Sequence, residues 1–388
     1  ILFSNPNLKP LLIYILLLLF FRTINETFQA IAITTDNIKL IWQINIFCSF
    51  TLVLFLSFAC YYHKPLPYLY GSHLILECIH SAAIIYLVLR CKIGKWEGFN
   101  GELIISILKY SFPLLLSVIT LIFSKRIDIF LISSFMNPEA VAIYSRGAIE
   151  LPIGPIIIYN ISNLLTPVFV KCYKEKKHDE IITTLRNEIK RIIVVLSPFF
   201  YTFLLLSKDF IVFLYTKEYL SSVPVFIVYL FILLVQIYAF DTILQAMKMT
   251  ITVFYISIAS IFSNIILSVV LIHFLGMIGA AIGTVFSIFI ANYLCLLIIN
   301  RQLSNPFKNW LPWKHILKIN IISLTLFCVF YFINLQLGSI KPIMKIFCIG
   351  SSFFLCQILV FWKMNILVPE DKNLIIEKVL AIKRIIFP

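Results

Sequence analysis

Eleven apolar runs of about 20 or more residues, separated by short polar breaks, constrain this chain more than any motif in it. They cover residues 10–33, 40–61, 66–89, 109–135, 138–170, 190–215, 222–247, 251–274, 277–299, 314–335 and 341–362. At about 1.5 Å per residue, each is long enough to cross a hydrocarbon layer of ~30 Å as a helix. The lipid interior offers no water to backbone N–H and C=O groups, so only helices and closed barrels span it. The runs are too long for barrel strands and do not alternate with period two. The expected fold is all-α: a polytopic transmembrane helical bundle of about 11 spans. Composition agrees, with 61% hydrophobic and 13% charged residues in 388, against about 45–50% apolar for a soluble domain.

The net charge of +14 would suggest nucleic acid in a soluble chain, but here the basic residues lie mostly between the runs. Twenty-two of the 32 Lys and Arg fall in one set of alternate loops, six in the other and four inside spans. Basic loops stay on the cytoplasmic side, so the C-terminus is expected inside and nucleic acid is no partner. Eleven spans then put Ile1 outside, without an initiating Met or a signal peptide. The expectation is a chain truncated at its N-terminus by an odd number of spans. Residues 172–191 and the tail from Asp371 carry apolar residues at helical spacing among basic ones, such as Ile181, Ile182, Leu185 and Ile189. Both are expected as amphipathic helices on the inner leaflet.

Charges inside the runs mark candidate sites. A charge at mid-membrane costs about 2.5–3.5 kcal/mol on insertion scales, so it faces a bundle interior or a wet cavity. Residues 109–170 concentrate such groups: Lys125, Arg126 and Asp128 late in one run, then Arg146 and Glu150 after the turn Asn137-Pro138. Arg146 and Glu150 are four apart, the spacing of neighbours on one helical face. Leu151-Pro152-Ile153-Gly154-Pro155 is expected to break the helix just after Glu150. Transporters place binding sites at interrupted helices of this kind. Asn160, Ser162 and Asn163 continue a polar stripe; Arg22 and Glu26, again four apart, form a second candidate cavity wall or a self-neutralising pair. Asp241 with Gln245, and Asn264, are further polar groups in later runs.

His73, Glu77 and His80 share one face of the third run. One helix cannot supply the convergent ligands a metal needs, so a polar seam is the favoured reading and no metal is assigned. The nine cysteines form no CxxC and behave as small apolar residues. Nucleophile elbow, Walker loop and HExxH are all missing, so the chain is not expected to be an enzyme.

The stretch KYSFPLLLSVITLIFSKRIDIFLISSFMNPEAVAIYSRGAIELP resembles the polysaccharide-biosynthesis (O-antigen flippase) proteins of the multidrug/oligosaccharidyl-lipid/polysaccharide exporter superfamily. Tyr110, Pro113, Asp128, Tyr144 and Ser145 match the opening of that family's second lobe, and Gly276, Gly279, Ala280, Ala281 and Gly283 match a later helix. The resemblance implies a two-lobe architecture with part of the first lobe missing. Residues 1–93 would be the remainder of the N-terminal lobe, 94–108 a cytoplasmic linker, 109–300 a six-helix C-terminal lobe and 301–388 two added spans with a cytoplasmic tail.

It implies, too, a flippase in a bacterial inner membrane that carries an undecaprenyl-pyrophosphate glycan to the outer leaflet for surface polysaccharide. Arg22, Lys125, Arg126 and Arg146 would draw in the pyrophosphate, with Tyr144, Asn163 and Asp241 also lining the cavity. Glu26, Asp128 and Glu150 would take up a coupling proton or Na⁺, or hold the arginines; no cofactor is implied. Partners would be membrane lipid, the lipid-linked oligosaccharide and other polysaccharide-assembly membrane proteins. One rival is a multidrug/cation antiporter of the same superfamily, which would favour an acidic or aromatic cavity over this cationic one. The other is a membrane O-antigen polymerase or ligase, which would need a large outer loop.

Overall fold

A computed structural model describes residues 9–33, 38–90, 100–303, 311–336 and 341–367. The expected amphipathic tail from Asp371 and residues 94–99 of the expected linker lie outside the described residues, while residues 101–108 of that linker open the first helix of the second unit. Every regular element among the described residues is helical, as the need to pair backbone groups in lipid requires. The chain divides into two compact units, Ile1–Asn100 and Gly101–Pro388.

The first unit holds α1 (Lys9–Ile33), α2 (Ile38–Tyr61) and α3 (Leu66–Arg90), with α3 packed against both others. The turn into α3 uses His63 in the left-handed region, φ 49°.

The second unit begins with α4 (Gly101–Phe135), 35 residues long with Pro113 inside it. The expected turn follows: the Asn137 side chain accepts from the Ala140 amide at 2.9 Å, and Pro138 takes the first helical position of α5 (Pro138–Gly147). Residues 148–152 are not helical, and α6 (Ile153–Lys174) resumes after them. At the turn into α7 (His178–Leu205), Lys177 lies 2.8 Å from Glu175 and holds its carboxyl below the usual carboxylate range.

α7 corrects one expectation. Residues 172–191 do not form a separate helix on the leaflet, because α7 runs unbroken for 28 residues from His178. Ile181, Ile182, Leu185 and Ile189 are 1%, 5%, 0% and 0% exposed and belong to the main hydrophobic core. Their helical spacing reports a protein-facing stripe, which a lipid-facing one resembles in sequence.

α7 is followed at a 77° bend by α8 (Ser207–Leu214), and a 3₁₀ turn, Lys217–Ser222, leads to α9 (Val223–Leu230). α10 (Ile232–Val235) ends at a second interruption, residues 236–240, before α11 (Asp241–Ala246). Residues 222–247 therefore do not form the single unbroken span expected. The Val235 carbonyl at this break accepts from the Asn292 side chain at 3.2 Å, and Tyr110 caps the end of α11 through the Gln245 carbonyl at 3.2 Å.

α12 (Thr250–Leu275) and α13 (Met277–Leu303) form the closest helix pair, turned at Gly276 with φ +57°. A Cβ on Gly279 would lie 2.1 Å from the Leu271 carbonyl oxygen, and one on Gly283 2.3 Å from the Ser268 hydroxyl. Small residues let the two backbones touch where lipid provides no hydrophobic drive. α14 (Trp313–Gln336), α15 (Pro342–Lys345), a π-helical turn at Ile346–Gly350 and α16 (Ser351–Lys363) complete the unit.

Among the described residues eight stretches are long and apolar enough to cross a membrane, Lys217–Val235 and Pro342–Lys363 each counting as one, or nine with the bent α7–α8 pair. The chain is a multi-pass membrane protein; the expected count of about eleven spans is not confirmed among the described residues. α1 and α3, 25 residues each, are not among the eight. Both carry the polar groups noted above, Arg22 and Glu26 on one and His73, Glu77 and His80 on the other.

Candidate functional site

The charges of residues 109–170 meet where α4 passes α5 and the break behind it. Asp128 is 1% exposed on α4. Tyr144 of α5 donates its hydroxyl to Asp128 Oδ2 at 2.6 Å, and Tyr229 of α9 donates to the same oxygen. The two hydroxyls are 3.1 Å apart and the rings meet edge to face, centroids 6.3 Å apart. Asp128 Oδ1 accepts the Ile129 amide at 2.8 Å. A carboxylate taken out of water needs such donors, and here three helices supply them.

Lys125 lies one turn before Asp128 and reaches Glu150 in the break, Nζ to Oε2 2.6 Å. The expected adjacency of Arg146 and Glu150 on one helical face does not occur, because α5 ends at Gly147. A Cβ at Gly147 would lie 2.5 Å from the Ser222 carbonyl oxygen, so the missing side chain lets the end of α5 press on the residue that precedes α9. Arg146 instead lays its guanidinium over Tyr215 and Tyr219, 4.9 and 5.9 Å from the ring centroids. The ring faces hold the cation, and among the described residues no carboxylate pairs with its N–H fork.

The two helix interruptions face each other. A crevice of only about 10 Å³ lies between them, with Glu150, Gly154 and Pro155 on one side and Tyr229, Leu233 and Gln236 on the other. Broken helices placed side by side at membrane depth are tolerated where the freed backbone faces protein or a cavity.

A model of the family described as polysaccharide biosynthesis protein matches residues 1–224. The chain belongs to the polysaccharide biosynthesis protein family. The match runs through α8 and takes in Asp128, Tyr144, Arg146 and Glu150, agreeing with the resemblance drawn from residues 109–170. Among solved structures the fold is similar to a lipid II flippase, MurJ, in its inward closed conformation. The TM-score is 0.53 at 18% identity, covering 92% of this chain and 74% of that one. No curated protein sequence matches.

Within this family member the remaining candidates are dispersed. Arg126 is exposed on α4, and Asn163 is exposed on α6. Asp241 heads α11 after the second interruption and accepts from Gln245 at 3.1 Å. Asn264 is fully buried, its amide 3.4 Å from the Ser124 carbonyl and its oxygen accepting from Ser268 at 2.9 Å. This is the packing role common for a lone Asn in a span. Arg22 and Glu26 belong to the first unit and bond each other at 3.2 Å, with side chains 71% and 69% exposed. Among the described residues no group of three or more His, Cys, Asp or Glu is placed to hold a metal ion.

Sequence reasoning missed Tyr215, Tyr219, Tyr229 and Gln236. Their only signal is a polar end in an otherwise apolar run, and tyrosine is too common in membrane helices for that to single them out.

Proposed function

We propose that the chain is a flippase that moves a lipid-linked oligosaccharide across the bacterial inner membrane for surface polysaccharide, with its C-terminus in the cytoplasm. The observation that carries this reading is Arg146, a cation held over two tyrosines beside a helix break, its fork paired with no carboxylate among the described residues. A diphosphate matches that fork, since guanidinium groups bind phosphate oxygens in pairs. Lys125, Arg126 and Arg22 add positive potential along the path. The lipid II flippase is named for a lipid-linked substrate, and the shared fold supports the same substrate class here.

In this reading residues 1–93 and 109–300 act as two lobes in alternating access, joined by 94–108 and followed by 301–388. The glycan crosses through the polar interior while the prenyl chain stays in lipid. Asp128, Glu150 and Glu26 hold the cations or take a coupling proton or Na⁺. Tyr144, Asn163 and Asp241 line the route. The chain acts as a transporter and not as an enzyme.

The test is complementation of a flippase-deficient strain with wild type, Arg146→Ala and Asp128→Ala at matched membrane levels. Restoration of surface polysaccharide by wild type alone is expected. Resistance to cationic drugs without any restored polysaccharide would favour the antiporter.

A further inference from the structure

The start of α14 carries positive charge that no carboxylate among the described residues neutralises. Lys314 and His315 stand in its first turn and Lys318 one turn further, with no acidic residue beside them there. A helix N-terminus already presents the positive end of its dipole, so cations at that end call for an anion from outside the helix. α7 passes alongside. Tyr201 donates to the Asn320 side chain at 3.1 Å, Ile193 and Val194 share one buried cluster with Ile319, and the His315 ring sits against the Lys190 backbone. Arg186 and Lys190, four apart, extend that face of α7 beyond the start of α14.

The cations on these two helices lack acidic partners. Arg186 Nε is buried without a hydrogen-bond partner. A guanidinium N–H donates in every protonation state, so this buried donor is short of an acceptor. Glu188, the nearest carboxylate in sequence, is taken by Arg191 at 2.5 Å. Lys190 reaches the Asn187 side-chain oxygen at 3.3 Å, and Lys318 the Met364 carbonyl at 3.4 Å, both uncharged acceptors. Lys314 and Lys318 share an exposed face of α14 with Leu317 and Ile321. Trp313, itself exposed, opens this candidate span. Tryptophan settles at headgroup level, so the basic groups stand at the depth of lipid phosphates and the apolar stripe continues at the depth of acyl chains.

We infer that the cleft between α7 and the first two turns of α14 binds the phosphate headgroup of an anionic glycerophospholipid, whose acyl chains lie along Leu317 and Ile321. Arg186 supplies planar donors for phosphate oxygens, while Lys190, Lys314 and Lys318 supply point charges. A free anion would use the cations and leave the apolar stripe idle; a lipid uses both. The bound lipid bridges two helices and offsets the repulsion between their cations. It is a resident lipid and not the one transported, so its test stands apart from the transport reading.

The full chain in detergent micelles is titrated with phosphatidylglycerol or phosphatidylcholine of equal chain length, and bound lipid is counted by native mass spectrometry. Wild type is expected to bind its first phosphatidylglycerol at least about tenfold more tightly than phosphatidylcholine. Arg186→Gln with Lys190→Gln should erase that preference. Lys171→Gln with Lys174→Gln removes the same charge from the end of α6 and should keep it. Lys314→Gln with Lys318→Gln, both on the surface, should also erase it, and decides the matter should the α7 pair not fold. Equal binding of the two lipids by wild type overturns the inference. So does a preference that survives the site variants, or one that the α6 variant loses to the same degree, since net charge alone would then explain it. Displacement of the bound lipid by millimolar inorganic phosphate would make this a site for a free anion and overturn it likewise.

Discussion

Lys125 Nζ stands 2.6 Å from Glu150 Oε2, so an ion pair ties the middle of α4 to the non-helical segment between α5 and α6. The pair spans 25 positions of sequence and sits where the two interrupted helices meet. Its side chains are 53% and 26% exposed, which limits its contribution to stability.

A double-mutant cycle of Lys125→Met and Glu150→Gln, followed by thermal unfolding in detergent, should give a coupling energy of about 0.5–1 kcal/mol. Zero coupling would mean the pair does not persist in the folded protein.

Asp128 accepts from two buried hydroxyls. Tyr144→Phe and Tyr229→Phe should each destabilise by about 1.5–3 kcal/mol, the range for a hydrogen bond to a charged group. The two losses should be less than additive, because both donors share one oxygen and contact each other. Chemical denaturation in micelles measures this, and full additivity would contradict the shared geometry.

Arg146 lies on aromatic faces, and lysine cannot reproduce that planar stacking. Arg146→Lys should lower surface-polysaccharide restoration at unchanged membrane levels, with a cation–π loss of about 0.5–1 kcal/mol. Tyr215→Phe keeps a ring face and should behave nearly as wild type. Equal activity of Arg146→Lys and wild type would remove the stacked guanidinium from the mechanism.

Leu185 separates a core helix from a leaflet helix. Leu185→Ala should cost about 2–5 kcal/mol as a cavity in a packed core. A helix lying in the headgroups would tolerate the change with little loss, so a thermal shift near zero would restore that picture.

Gly279 and Gly283 set the spacing of α12 and α13. Gly279→Val should reduce the monodisperse fraction on size exclusion and destabilise by at least about 1–3 kcal/mol, since the added atoms meet backbone that cannot move aside. Wild-type yield and melting would contradict the observed contact.

The sequence by itself determined the helical membrane class, the turn at Asn137-Pro138 and the family. Each depends on neighbours within a run: apolar length, a turn-forming Asn-Pro, and residues matching a family pattern. Only the tertiary structure decided where the charges go. Arg146 and Glu150 share a helical spacing, yet α5 ends at Gly147, and one residue meets two tyrosines while the other meets Lys125. Ile181 and Leu185 carry a pattern that suits lipid as well as protein, and packing against the core settled which. The polar cluster of Glu77 and His80 likewise needed α1 and α2 beside α3, because its asparagines lie 52 and 35 positions away in sequence.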